Sequence, residues 1–171
     1  MAALLCSLLL IVQAPSLANQ LLSAAHGGDA AEVLKLLRRG APLKQKDTDA
    51  KTALILASEA GHSAVVKVIV GHMQEAVTRN LTQVAGKGSQ AAVAEAVLAE
   101  LDKEAVINAS DRNSRTALSH AAAWGRDEVV DILLKARADT TLKDTNGLTA
   151  AALARAAGHP EVATIIEDVP K

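Results

Sequence analysis

The chain runs to 171 residues, 50% of them hydrophobic and only 1% aromatic, and its 18 Lys+Arg against 19 Asp+Glu leave a net charge of −1. It is long enough to bury a core without staples, too apolar for disorder and too poor in rings for an aromatic core, so small aliphatic side chains must do the packing. The charge balance gives no overall attraction to nucleic acid or acidic lipid, and one cysteine, Cys6, supports neither an intrachain disulfide nor a zinc cage.

The first segment, "MAALLCSLLLIVQAPSLA", has an apolar run from Ala2 to Val12, then Pro15, then Ser16 and Ala18 spaced like the small residues of a signal-peptidase site. It is expected to be an export signal, giving a secreted or periplasmic protein. The alternative is an extra apolar helix at the end of the fold in a cytoplasmic protein. The run is too short for a permanent membrane span.

From Asn19 the chain repeats itself. Gly28 and Gly61 stand 33 residues apart, as do Gly125 and Gly158, and Thr116 and Thr149 keep the same step. A period of that length points to stacked supersecondary units. Each unit opens on a turn and helix cap: "DTDAKT" from Asp47, "DRNSRT" from Asp111 and "DTNGLT" from Asp144. A short Ala-rich helix should follow and end at Gly61, Gly125 or Gly158. A second helix then carries "HSAVVKVIV", "RDEVVDILL" or "HPEVATII". The pattern weakens in the middle of the chain. There we expect a short turn, a helix near Glu75 to Ala85, glycines at 86 and 88, a second helix near Gln90 to Leu101, and a longer connection from Asp102 to Ile107. The aliphatic stripes in "EVLKLL", "AVVKVIV", "AVAEAVLAEL" and "EVVDILL" read as core, because they recur with the repeat.

These residues resemble the ankyrin repeat family over nearly all of 19–171. The resemblance implies an all-α solenoid of stacked helix-turn-helix units with short β-hairpin-like fingers. Five repeats are expected, near 19–47, 48–73, 74–110, 111–143 and 144–171, the third degenerate, after a separate segment 1–18. The first unit looks like an N-terminal capping repeat, with Gly40 and Ala41 where the family's Gly-Ala closes the second helix, and the last looks like a closing repeat. Where the family has Thr-Pro-Leu-His, this chain has "TALI", "TALS" and "TAAA". The threonine cap survives without the proline and histidine, which predicts a less rigid but intact fold.

The resemblance also implies contact positions on the concave face. They are Thr48, Asp49, Lys51, Glu59 and Ala60, then Arg112, Asn113, Arg115, Ala123 and Trp124, then Thr145, Asn146, Leu148, Ala156 and Ala157. Trp and Arg are favoured interface anchors, so Trp124, the only aromatic residue, together with Arg112 and Arg115 marks the centre. The expected function is non-catalytic binding of a partner protein; the alternatives are a structural or inhibitory subunit of a larger assembly, or an enzyme with an unrecognised site. A mixed-charge face suits a protein better than nucleic acid.

No catalytic, metal, cofactor or small-molecule site is expected. His62 and His159 occupy the family's Gly-His position and are read as structural, His120 lies at a normally apolar first-helix position, His26 at a variable one, and His72 should end a helix. No histidine pair has metal spacing, and no Ser or Cys can be matched with a His and a carboxylate. "AGKGSQ" from Ala85 lacks the residue order of a phosphate loop. The sequons at Asn80 and Asn108 read as chance occurrences.

Overall fold

A computed structural model describes residues 16–87 and 101–169 of the chain. The expected all-α repeat architecture is present. The first unit is α1 (Leu17–Gly27) and α2 (Ala30–Arg38), the second α3 (Ala53–Ala60) and α4 (Ser63–Lys87). Residues 101–107 form α5. Two further pairs follow, α6 (Ala117–Ala123) with α7 (Asp127–Lys135), and α8 (Ala150–Ala156) with α9 (Pro160–Glu167).

Each unit starts where the sequence places it. The hydroxyls of Thr52, Thr116 and Thr149 accept the amides of Ile55, Ser119 and Ala152, satisfying donors that the first helical turn leaves free. The preceding fingers are closed by single antiparallel bridges, Lys46 to Thr52, Ser110 to Thr116 and Lys143 to Thr149. Inside each finger one aspartate does the same work. Asp111 donates its amide to the Arg115 carbonyl at 3.0 Å, and its Oδ1 accepts the amides of Asn113 and Arg115. Asp47 and Asp144 repeat that pattern.

The first helices stack in one row, α1 on α3, α3 on α6 and α6 on α8, backed by a second row in the order α2, α4, α7, α9. Alanines at the contacts, including Ala25, Ala57, Ala121, Ala122 and Ala154, let the backbones approach. Leu21, Leu36, Leu54, Ile55, Ile69, Leu118 and Leu133 fill the space between the rows. Each such side chain contributes about 1.5–3 kcal/mol on burial, which is how a core with no rings among its members is held.

The middle of the chain departs from expectation. Among the described residues α3 packs directly on α6, and α4 on α7, so the third pair expected near 74–110 does not stand between the second and fourth units' first helices. Four helix pairs stack among the described residues. The expected short turn near residue 74 is also absent, because α4 runs unbroken to Lys87, and His72 sits within it instead of ending it. The cause is local. In the first unit the chain leaves α2 through Gly40 at φ +84, and the matching position after α7 is Arg137 at φ +66. One period after Gly40 stands Met73, buried and followed by Gln74, Glu75 and Ala76, all good helix formers, so nothing stops the helix. The second helix expected near Gln90 to Leu101 lies, except for its last residue, outside the described residues. Val106 and Ile107 of α5 are buried, and Lys44 in the loop after α2 pairs with Asp102 at 2.5 Å, so α5 is held to the loop that leaves the first unit.

The segment expected to be an export signal lies outside the described residues up to residue 15. Its last three residues do not stand apart from the fold: Ser16 Oγ accepts the Asn19 amide at 3.2 Å and caps α1, and Leu17 packs against the core. Among the described residues no helix is long and apolar enough to cross a membrane.

Candidate partner-binding face

The fingers and first helices of the second, fourth and fifth units bring the expected contact positions into register, unit beside unit. Trp124, at the C-terminus of α6, is 57% exposed. The residues at the same position of the flanking units are Ala60 and Ala157, the one half-buried and the other exposed. The finger residues Thr48, Asp49, Arg112, Asn113, Thr145 and Asn146 are exposed, whereas Lys51, Glu59, Arg115, Ala123 and Leu148 are half-buried and Ala156 is exposed.

The charged members of this set hold one another. Lys51 Nζ lies 2.6 Å from Glu59 Oε2, and Glu59 beside it holds the ammonium above its ordinary value. Arg115 Nε donates at 3.2 Å to Oδ2 of Asp144, whose side chain is fully buried in the next finger. Arg112 lies 3.8 Å from Asp49 across the unit boundary and donates to the Thr48 carbonyl. The fingers are further joined by Lys46 Nζ donating to the Ser110 carbonyl at 2.7 Å and the Thr145 amide donating to the Asn113 carbonyl at 3.0 Å. Sequence reasoning chose contact positions with exposed fingers, but it missed that Arg112 and Arg115 tie neighbouring units together, to partners 29, 63 and 64 residues away, while Lys51 is held within its own unit.

Behind this face lies a buried polar pair that the sequence did not announce. His120 Nε2 donates to Asp111 Oδ2 at 2.9 Å, and its Nδ1 is 4.0 Å from Glu59 Oε1 of the second unit. Burial pushes the Asp111 carboxyl up, but the His120 hydrogen bond and the amides of Arg115 and Asn113 outweigh it and hold it below its ordinary value. The Asp111–His120 hydrogen bond fastens the finger to α6. Among the described residues no cluster of His, Cys, Asp and Glu could hold a metal ion.

At the opposite edge from the fingers, the glycines that end the first helices of the first, second and fourth units are each covered by a side chain from the next stacked unit. His62 lies over Gly28 and donates to the His26 carbonyl at 3.0 Å, Arg126 lies over Gly61, and His159 lies over Gly125. The structural reading of His62 and His159 therefore has a mechanism: the rings seat where a Cβ would stand. Asn108 accepts the Asp139 amide at 2.9 Å, so its side chain is engaged within the stack. The Asn80 side chain lies outside the described set.

Residues 98–154 match the family model described as ankyrin repeats in many copies. The chain is 32% identical over 149 residues to the ankyrin repeat and KH domain-containing protein mask-1 of Caenorhabditis elegans, an alignment that takes in 84% of this chain and 5% of that protein's length.

Proposed function

The chain is an ankyrin repeat protein, and on that premise we propose that it is a non-catalytic module that holds a partner protein against its concave face, centred on Trp124. Ankyrin repeats are generally protein–protein interaction modules and typically lack catalysis. The observation that carries the reading is the exposure of Trp124. It is a large hydrophobic side chain left exposed on the face, and a partner that covered it would remove that apolar area from water.

Affinity capture from native extract, with the whole chain and with Trp124→Ala as parallel baits, tests the reading. A protein retained by the wild type and lost with the folded variant supports it. Equal recovery by both baits moves the contact to the second-helix side.

Export is a separate part of the proposal, supported by the composition of residues 1–18. N-terminal sequencing of the mature protein tests it. A mature chain that starts after Ala18 agrees with export and lacks the Ser16 cap; a retained Met1 is against it.

A further inference from the structure

Trp124 and Arg126 flank Gly125 at the turn from α6 into α7, and both side chains are exposed. Gly125 has φ +59 and His159 is seated against it, which fixes the turn between them. Two positions along a chain span at most about 7 Å, so one short segment of a partner reaches both. Arg126 is held in place. Its Cδ, Nε and Cζ lie 2.8, 2.8 and 3.1 Å from where a Cβ on Gly61 would stand, so its stem is laid on the turn of the second unit. His62 sits on Gly28 in the same way, but there the ring donates to the His26 carbonyl at 3.0 Å. The Arg126 guanidinium makes no hydrogen bond or ion pair among the described residues.

The cations around it are matched within the chain: Lys51 by Glu59, Arg112 by Asp49, Arg115 by Asp144, Lys67 by Glu128 and Arg155 by Glu167. Arg126 is thus a positioned cation without an anion, two residues from a large exposed ring. Its planar fork fits a carboxylate through two parallel N–H donors, and a side chain already held in place loses less freedom on binding. Asp127, next to it in sequence, belongs to a different surface. It opens α7, one turn before Asp131 on the exposed side of that helix, whereas Arg126 reaches along the first-helix row to Gly61.

Resting on the reading of Trp124 as the centre of a protein-binding face, we propose that Trp124 and Arg126 together receive an acidic segment of the partner. An apolar side chain covers the indole, and a neighbouring aspartate or glutamate pairs with the guanidinium over Gly61. Apolar area supplies the contact, and the unmatched cation beside it selects the charge. A basic segment in that place would bring like charge against Arg126.

The probe is a phage-displayed library of random peptides, panned on the immobilised whole chain and counter-selected on Trp124→Ala. Enriched peptides are then titrated against the emission of Trp124, the only tryptophan in a chain without Tyr. The expected peptides carry Asp or Glu next to an apolar residue, and they shift that emission. Replacing their carboxylate by the amide should weaken binding to the wild type by about tenfold, and binding to Arg126→Gln by less than about threefold. Affinity should fall by about threefold or more between about 0.1 M and about 1 M salt, where the screening length falls from about 10 Å to about 3 Å. If Arg126 only covers Gly61, carboxylate and amide peptides bind the wild type equally, which overturns the proposal without recourse to any variant. Peptides that need Trp124 but are neutral or basic overturn it as well and leave the binding face standing. Peptides that bind Trp124→Ala equally, or no enrichment over that control, overturn both.

Discussion

His120 Nε2 donates to Asp111 Oδ2 at 2.9 Å with both side chains buried, so one hydrogen bond fastens the fourth unit's finger to its own first helix. The same histidine presents its other nitrogen to Glu59 of the unit stacked beneath it. Removing the ring leaves a buried carboxylate short of a donor. We expect His120→Ala to lower stability by about 2–3 kcal/mol. Chemical denaturation measures it, and a loss under about 0.5 kcal/mol, the range of an ordinary surface change, would show that the bond is not structural.

Acid should unfold the array through its finger aspartates. Asp111, Asp139 and Asp144 are all held below their ordinary value of 3.8. In Asp144 burial works against this, but the amides of Leu148 and Asn146 and the Arg115 side chain outweigh it; in Asp139 the Thr141 hydroxyl and amide suffice. In the unfolded chain these carboxyls take up protons near 3.8, before the folded ones do. Their contribution is therefore fully present above 3.8 and is lost as pH falls through the lower folded values. The denaturation midpoint should be insensitive to these groups above about pH 5 and fall below about pH 4. Asp111→Asn should flatten that acid limb, and an unchanged slope would remove Asp111 from the linkage.

Two fingers carry a residue that their backbone does not favour. Ala50 and Ser114 have φ of +61 and +58, while the fifth unit has Gly147 at φ +78 in the same place. A left-handed L-residue costs about 1–2 kcal/mol, partly offset in exchange for glycine by the entropy of the unfolded chain. Ala50→Gly and Ser114→Gly should each stabilise by about 0.5–1 kcal/mol, seen as a higher melting temperature. A lower one for both would contradict the finger geometry.

Close approach at the other edge gives a coupled pair. A Cβ on Gly125, at φ +59, would stand 2.6 Å from His159 Nδ1, whereas one on Gly40 would meet nothing within 4 Å. Gly125→Ala should therefore cost about 1–2 kcal/mol more than Gly40→Ala. The excess should shrink when His159→Ala is added. Additive losses in that double-mutant cycle would mean the two residues do not meet.

Trp124 and Arg115 were expected to act alike, and the structure separates them. With its side chain largely in solvent, Trp124→Ala should alter stability by no more than about 0.5 kcal/mol. Arg115→Glu should cost about 1–3 kcal/mol, because it removes a donor from the buried Asp144 and puts a second carboxylate beside it. Thermal melts of the two variants check this. Equal effects would argue that Arg115 is a free surface residue, and only then would its loss report on binding alone.

The sequence by itself determined everything that repeats at short range. The Asp-to-Thr spacing of "DRNSRT" dictates a finger and a cap because both use amides within five residues of the side chain that accepts them. The aliphatic periods dictate paired helices because neighbours on a helix lie three and four residues apart. Gly40 and Gly125 were legible for the same reason.

What the tertiary structure decided is which unit touches which. The third pair was predicted to stack because a repeat pattern counts units in chain order. Yet Met73, where a helix-ending glycine would stand, continues α4 beyond the second unit, so α3 meets α6 directly. That contact sets the roles of His120, Arg112 and Arg126, and the packing of α6 on α8 sets that of Arg115. Their partners sit on neighbouring units or on the far side of a finger, and no local period encodes a distance of 29 or 64 residues. Trp124 was legible as a contact position, but its setting became visible only when stacking placed an alanine at the same position on each side of it and laid Arg126 over Gly61.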